Sequence, residues 1–108
     1  MERLRKKYIP MTETAFYILM ALREPLHGYG IILKVEDLTK GRMRIGAGTI
    51  YGTLSKMEKD KLIVVVGTED RRKIYQHTAS GKDLLEEEVG RLRTMLSEYE
   101  GSEEDGRV

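Results

Sequence analysis

A helical pattern that runs directly into a β-hairpin pattern, between residues 46 and 77, constrains the fold of this chain more than any other feature. Ile50, Leu54 and Met57 recur at intervals of four and three residues, as on the buried face of an amphipathic helix. That helix is predicted to begin near Ala47 or Gly48. Its opposite face lacks bulky apolar side chains and carries Gly48, Gly52, Ser55, Lys56 and Lys59, with Thr49 and Tyr51 on the flanks.

A strand–turn–strand pattern follows this helix without a linker. The β-branched run Leu62–Val66 favours a strand, Gly67–Asp70 is typical of a turn, and Lys73–His77 is predicted as the returning strand. Two interpretations stay open for the cations that would lie at the hairpin tip: protection of an exposed sheet edge, or contact with an anionic partner. These three adjacent cations are Arg71, Arg72 and Lys73.

The glycines of the predicted helix indicate what its outer face contacts. Each glycine costs about 1 kcal/mol of helix stability relative to alanine, so an ordinary solvated face explains Gly48 and Gly52 poorly. Small residues let a helix approach a groove closely, while hydroxyls, lysines and the free N–H groups of a helix start suit bases and phosphates. We therefore predict a recognition helix and the wing of a winged helix–turn–helix DNA-binding domain.

The N-terminal quarter predicts a basic arm and then a buried helix. Residues 1–10 contain four cations and are predicted as an arm that either follows a phosphate backbone or is a solvated tail. Thr12 is a suitable N-cap for a helix that ends near Leu22. Because this helix is apolar all round, it needs a partner on a second side, and Phe16 and Leu19 are predicted at a dimer interface.

The next segment predicts a second helix with tight ends. The sequence HGYG, residues 27–30, is interpreted as a helix-to-helix connection, because a phosphate-binding loop would need a longer glycine pattern after a strand. The helix is predicted to end near Leu38, with Gly41 as its C-cap glycine. Arg42–Ile45 is long enough for one short strand.

The C-terminal quarter predicts a long helix over residues 79–99, capped by Thr78. Five apolar residues are spaced by four, three, four and three positions, as in a coiled coil of about two heptads. They are Leu85, Val89, Leu92, Leu96 and Tyr99. Such a helix is unstable alone in water, so it is predicted to pair with a second copy of the chain. Residues 100–108 are predicted to form a disordered acidic tail.

Composition excludes several classes of protein. The formal net charge is only +1, but residues 1–82 hold 16 Lys and Arg against 9 Asp and Glu, whereas residues 83–108 hold 3 against 9. This asymmetry indicates an anionic partner for the basic part, although a mixed solvated surface gives the same counts. Without cysteine, and with two isolated histidines, the chain predicts no enzyme, metal site or cofactor. It lacks a secretory signal or membrane-spanning pattern, so a cytoplasmic location is expected.

Four sequence segments resemble the PadR family of bacterial and archaeal transcriptional regulators: MTETAFYILMAL, EPLHGYGI, GAGTIYGTLSKMEKDKLI and DRRKIYQHTASGKDLL. The resemblance covers about residues 10–98 and is to the short members, which lack the larger C-terminal domain. It implies a mainly α fold with a small β-hairpin: a winged helix–turn–helix over residues 11–78 and a dimerisation helix over 79–99. In the recognition helix the matching positions are Gly48, Thr49, Tyr51 and Gly52, and the resemblance implies that the Tyr51 hydroxyl contacts a phosphate. In the wing they are Arg71, Arg72 and Lys73, and in the dimer helix they are Leu84, Leu85, Val89 and Leu92.

The same resemblance implies a homodimeric transcriptional repressor that binds double-stranded DNA at an inverted-repeat operator. It also implies that a small aromatic effector releases the repressor from the operator. The chain has no tryptophan, so an aromatic effector site must use Phe16, Tyr17 or Tyr99. His77 stands where leucine is more usual, and is either a half-buried strand-end residue or a sensor of pH or ligand. The alternative function is a ligand- or protein-interaction module that keeps the fold without binding DNA.

Overall fold

The computed structural model describes residues 1–104, which form five helices and one antiparallel two-stranded sheet. The elements are α1 (Glu2–Tyr8), α2 (Glu13–Ala21), α3 (Gly28–Leu38), α4 (Ala47–Lys59), β1 (Ile63–Glu69), β2 (Arg72–His77) and α5 (Ala79–Glu104). This order confirms the predicted fold class, mainly α with a small hairpin. The last four residues of the predicted acidic tail, 105–108, lie outside the described part of the chain.

The core lies where α2, α3 and α4 meet. Its fully buried side chains are aliphatic, and each contributes about 1.5–3 kcal/mol relative to an exposed position. They include Ile18, Leu19, Leu22, Ile31, Val35, Ile50, Leu54 and Met57. The predicted inward face of α4 is therefore confirmed, and its opposite face is directed towards solvent.

The N-terminal segment is a helix that packs on the body, so residues 1–10 do not form the flexible arm or solvated tail that the sequence predicted. Tyr8 is buried, and its hydroxyl donates a 2.6 Å hydrogen bond to Asp60, the residue that ends α4. Asp60 also pairs with Lys7 at 2.8 Å and with Arg3 at 3.6 Å. The sequence pattern missed this because the neutralising carboxylate is 52 residues away.

These contacts perturb both acidic groups. Hydrogen bonds from Lys7 and Tyr8 hold the pKa of Asp60 below its ordinary value, whereas burial and the bond to Asp60 raise the pKa of Tyr8. Because its folded pKa is lowered, Asp60 contributes stability above the ordinary carboxyl pKa of about 4. That contribution is lost as the pH falls through the lowered pKa.

Side chains cap α2 and α3 at their N-termini. Thr12 accepts a 3.1 Å hydrogen bond from the Ala15 N–H, as predicted. His27 Nδ1 accepts one of 3.1 Å from the Gly30 N–H, so the HGYG segment begins α3 rather than connecting two helices. Gly41, at φ +81°, donates its N–H to a carbonyl of the last turn of α3 and ends the helix as predicted.

The hairpin has a shorter turn than predicted. Asp70 and Arg71 alone connect the strands, with φ of 50° and 64°, as in a type I′ turn. The prediction of a turn over Gly67–Asp70 is therefore wrong, and Gly67 instead pairs with Ile74 beside a β-bulge.

A single residue before α3 pairs with the edge of β2 that does not face β1. Leu26 forms a β-bridge with Tyr75, in which each N–H donates to the other carbonyl at 3.0 and 2.8 Å. Arg42–Ile45 forms no strand, so that prediction is wrong. The bridge fixes the hairpin to the start of α3.

Helix α5 extends further than predicted. Thr78 caps it by accepting a 3.1 Å hydrogen bond from the Gly81 N–H, as expected, but the helix continues through Glu104. Disorder over residues 100–104 is thus a wrong prediction. Gly81 lies so close to Leu62, the residue before β1, that a Cβ there would overlap the Leu62 carbonyl oxygen. Glu88 is buried and accepts hydrogen bonds from the Met11 N–H and from the neighbouring Arg91. The bond from Met11 joins α5 to the segment just before α2.

Tyr8→Phe tests the attachment of α1. It removes the hydroxyl that donates to Asp60 and keeps the ring, so we expect the free energy of unfolding to fall by about 1–2 kcal/mol. Urea unfolding followed by circular dichroism measures this change. Tyr29→Phe is the matched control, because the Tyr29 side chain is exposed. An equal loss in both variants would contradict the role assigned to Tyr8.

Candidate nucleic-acid interface

The outer face of α4 is open to solvent along its whole length. A Cβ at Gly48 or Gly52 would meet no atom of the described chain within 4 Å, so packing does not explain either glycine. The first N–H groups of α4 have no intrahelical acceptors, and the N-cap residue, Gly46, has no side chain that could accept from them. All the polar residues predicted on this face are exposed, namely Thr49, Tyr51, Ser55, Lys56 and Lys59.

The side chain of Tyr51 projects from α4 towards Gly28 of α3 and the wing, and its position depends on Gly28. A Cβ at residue 28 would lie 2.6 Å from Cε1 of the Tyr51 ring and 2.8 Å from its hydroxyl oxygen. Gly28 therefore has to be a glycine for the ring to lie there. The tyrosine is still half exposed, so its hydroxyl is accessible to a partner.

A groove of about 320 Å³ brings Tyr51 together with the wing cations. Its walls are Gly28, Tyr51, Arg71, Arg72, Lys73 and Tyr75. The three cations are exposed, and within residues 1–104 no ion pair or hydrogen bond engages their side chains. Their mutual repulsion is thus left for an external anion to relieve.

A second groove, of about 350 Å³, lies on the opposite side of α4. Thr49, Thr53 and Lys56 of α4 face Thr12 and Thr14 at the start of α2 across it, and Lys7 of α1 lies at its edge. The Lys56 ammonium is 5.5 Å from the centre of the Tyr8 ring, a cation–π distance. The sequence analysis did not predict that α1 and α2 contribute to this groove. The threonines of the segment MTET, residues 11–14, are the local signal that could have indicated it.

The residues predicted at a dimer interface range from buried to exposed. Leu19 has 0% of its side chain exposed and belongs to the core, so the prediction that a partner contacts it is wrong. Leu85 is nearly buried at 7%, while Phe16 and Val89 are half-buried. The five apolar residues that follow the coiled-coil spacing are called the seam, and its last three are exposed: Leu92, Leu96 and Tyr99 are 42%, 57% and 63% exposed, and Met95, which was not predicted, is 52% exposed.

The aromatic residues considered for an effector do not line either groove of α4. Phe16 and Tyr17 contact edge to face, with ring centres 5.4 Å apart, and the Tyr17 hydroxyl accepts from Arg42 at 3.2 Å. His77 is half-buried at the end of β2 and donates its backbone N–H to the Leu22 carbonyl. An effector site and a sensing role for His77 stay predictions.

Neither a metal site nor a membrane-spanning helix is found among residues 1–104. Residues 1–104 contain no group of three or more His, Asp or Glu side chains arranged to hold a metal ion. In the same range, every helix is too short or too polar to cross a membrane.

Comparison with known proteins places this geometry in a family. Residues 18–87 match the PadR-like family of transcriptional regulators. The transcriptional regulator YqjI of Escherichia coli is 33% identical over 84 residues, which are 77% of this chain and 41% of that protein. The chain spans 21% to 41% of the length of the curated relatives that it matches.

Solved structures share the fold. Bacillus subtilis PadR in complex with operator DNA is 27% identical, with a TM-score of 0.61 over 70% of this chain and 46% of that chain. A PadR family transcription regulator from Clostridium difficile is 25% identical, with a TM-score of 0.68 over 80% of this chain and 93% of that chain. With its recognition-helix geometry, its wing and these matches, the chain belongs to the PadR-like family of transcriptional regulators and has their winged-helix fold.

Proposed function

We propose that this protein is a homodimeric repressor that binds an inverted-repeat operator, with α4 in the major groove and the wing beside it. The observation that carries the DNA-binding proposal is the open glycine face of α4 next to three wing cations that have no ion-pair partner within residues 1–104. Operator binding by the related Bacillus subtilis PadR supports it.

Each part of the surface has a distinct role in this proposal. Gly48 and Gly52 allow the α4 backbone to approach the base edges, which the hydroxyls of Thr49 and Ser55 then reach. Lys56 and Lys59 neutralise phosphates. Base contacts supply sequence preference, while phosphate contacts fix the position of α4 on the duplex.

The two grooves that flank α4 suit the two strands of one major groove. On one side, the wing cations and the Tyr51 hydroxyl bind phosphates. On the other side, Thr12 and Thr14 offer hydroxyl donors near the N-terminus of α2, where the helix dipole also favours an anion. A helix held on both sides by phosphates has little freedom to rotate in the groove.

The exposed seam of α5 supports the proposal that the chain dimerises through this helix. Leu92, Leu96 and Tyr99 expose more apolar surface than a solvated helix needs, and a second copy would bury it. Two-fold symmetry of the protein then requires an inverted repeat, with half-sites about 34–36 Å apart for successive major grooves. Repression follows if the dimer occupies DNA that the transcription machinery needs. Release by a small aromatic effector stays a prediction from the family resemblance.

The main experiment measures binding to the DNA upstream of the protein's own gene at several salt concentrations, with a random duplex as control. Tight binding to the upstream fragment that weakens steeply with salt is the expected result. No salt-dependent affinity for either duplex would contradict DNA binding and favour the alternative, an interaction module with the same fold.

Lys56→Ala and Arg72→Ala test the assigned phosphate contacts. Each should weaken binding to all sequences and reduce the slope of log affinity against log salt by about 1, because one phosphate contact is lost. Fluorescence anisotropy with a labelled duplex measures both quantities. Lys40→Ala, an exposed lysine at the end of α3, is the control. Unchanged slopes in Lys56→Ala and Arg72→Ala would refute the contact assignment.

Gly52→Ala and Gly52→Leu test the close approach of α4. Because residue 52 has open space around it, the alanine variant should gain about 1 kcal/mol of unfolding free energy. The leucine variant should fold, yet lose operator affinity, because its side chain occupies the space needed by the DNA. Urea unfolding and anisotropy on the same samples separate the two effects. Full operator affinity of Gly52→Leu would show that α4 does not enter a groove at this position.

Leu92→Glu tests the seam. A carboxylate in an apolar interface is costly, so the variant should be a monomer on size-exclusion chromatography with light scattering and should bind the operator more weakly. Leu33→Glu places the same charge at an exposed leucine of α3 and should remain a dimer. A stable Leu92→Glu dimer would refute the seam.

A further inference from the structure

Helix α1 carries more positive charge than its contacts with the rest of the protein neutralise. Arg3 and Lys7 share one carboxylate, that of Asp60, at nitrogen–oxygen distances of 3.6 and 2.8 Å. Lys6 is exposed, and no ion pair or hydrogen bond engages its side chain within residues 1–104. These three cations and one carboxylate together leave a net charge of +2.

This excess charge lies on one side of α1. On the other flank, Arg5 donates from Nε to both carboxylate oxygens of Glu87 in α5, at 2.8 and 2.9 Å, so its charge is neutralised inside the protein. Lys6 precedes the buried Tyr8 by two residues and therefore projects from nearly the opposite face of the helix. Lys7 projects towards α4, where it meets Asp60. The side of α1 next to α4 is thus the side left positive.

The positive side of α1 continues the surface of α4. Lys7 and Lys56 both line the groove of about 350 Å³ between α4 and the start of α2, and no carboxylate is among its lining residues in the described chain. Glu13 lies between two of the lining threonines in sequence, but it pairs with Arg42 at 2.8 Å instead. An anion on this side of α4 would therefore meet cations from two helices.

We infer that α1 is a third DNA-contacting element, in which Lys6 and Lys7 bind backbone phosphates next to those that flank α4. The inference rests on the proposed function and extends its interface beyond α4 and the wing. Helix α1 has seven residues and is about 10 Å long, which is the rise of about three base pairs. Because lysines on phosphates carry no sequence information, α1 should add affinity and position rather than base preference.

The attachment of α1 makes such contacts favourable. The hydroxyl of Tyr8 donates to Asp60 at 2.6 Å, so the helix is already docked on the end of α4 before DNA arrives. A flexible basic arm would lose conformational entropy when it settled on the duplex, whereas a docked helix has already lost it on folding. Asp60 is therefore a positioning residue for Lys7, although its own charge is unfavourable near phosphate.

The dependence of DNA affinity on salt tests this inference. Lys6→Gln should reduce the slope of log affinity against log salt by about 1, and the chain that carries Lys6→Gln and Lys7→Gln should reduce it by about 2. Fluorescence anisotropy measures the slopes on the upstream DNA and on the random duplex, and the reductions should be similar on both. Arg5→Gln is the matched control, because it removes one charge from the opposite flank of the same helix and should leave the slope unchanged. Equal slopes for Lys6→Gln and Arg5→Gln would overturn the inference.

Hydroxyl-radical footprinting of the upstream DNA gives a second readout. The double variant should lose protection over about three nucleotides at the edge of each protected half-site, while the protection beside α4 remains. An unaltered footprint would overturn the inference and leave the proposed function intact. Lys6 has no ion-pair partner within residues 1–104, so Lys6→Gln should keep its unfolding free energy and test the contact without disturbing Asp60. Absence of salt-dependent DNA binding by the unaltered protein would instead refute the proposed function.

Discussion

The packing of Ile50, Leu54 and Met57 against α2 and α3 determines which face of α4 meets solvent, and the candidate interface depends on that choice. Once these three side chains are buried, helical geometry directs Gly48, Gly52, Ser55 and Lys56 outward. The core thus has two effects. It supplies most of the hydrophobic stability, and it fixes the rotation of the helix that we propose to enter DNA.

Long-range contacts then fix the surroundings of α4 at both ends. Near its start, the Leu26–Tyr75 bridge holds the hairpin against the beginning of α3, where Gly28 leaves room for Tyr51. At its end, Asp60 accepts from Tyr8 and attaches α1 to the same helix. The first attachment places the three wing cations beside α4. The second attachment places basic residues of α1 close to Lys56, whose ammonium lies over the Tyr8 ring.

Local signals predicted much of this architecture. Helical periodicity identified the buried face of α4, and the caps at Thr12, Gly41 and Thr78 were recognisable from residue type, because these interactions span only a few residues. The type I′ turn was misplaced because Asp70 and Arg71 adopt left-handed φ without a glycine. The docking of α1 and the burial of Leu19 depend on residues distant in sequence, and no local pattern encodes them.

The contact between Gly28 and the Tyr51 ring has a consequence for how this surface can change. These residues belong to different helices, yet the space that one leaves empty is the space that the other fills. A side chain at position 28 would require the half-exposed Tyr51 ring to shift, and that shift would move its hydroxyl within the groove beside the wing. A substitution at position 28 in α3 is therefore expected to alter how α4 presents the Tyr51 hydroxyl to a partner, although residue 28 itself carries no binding group.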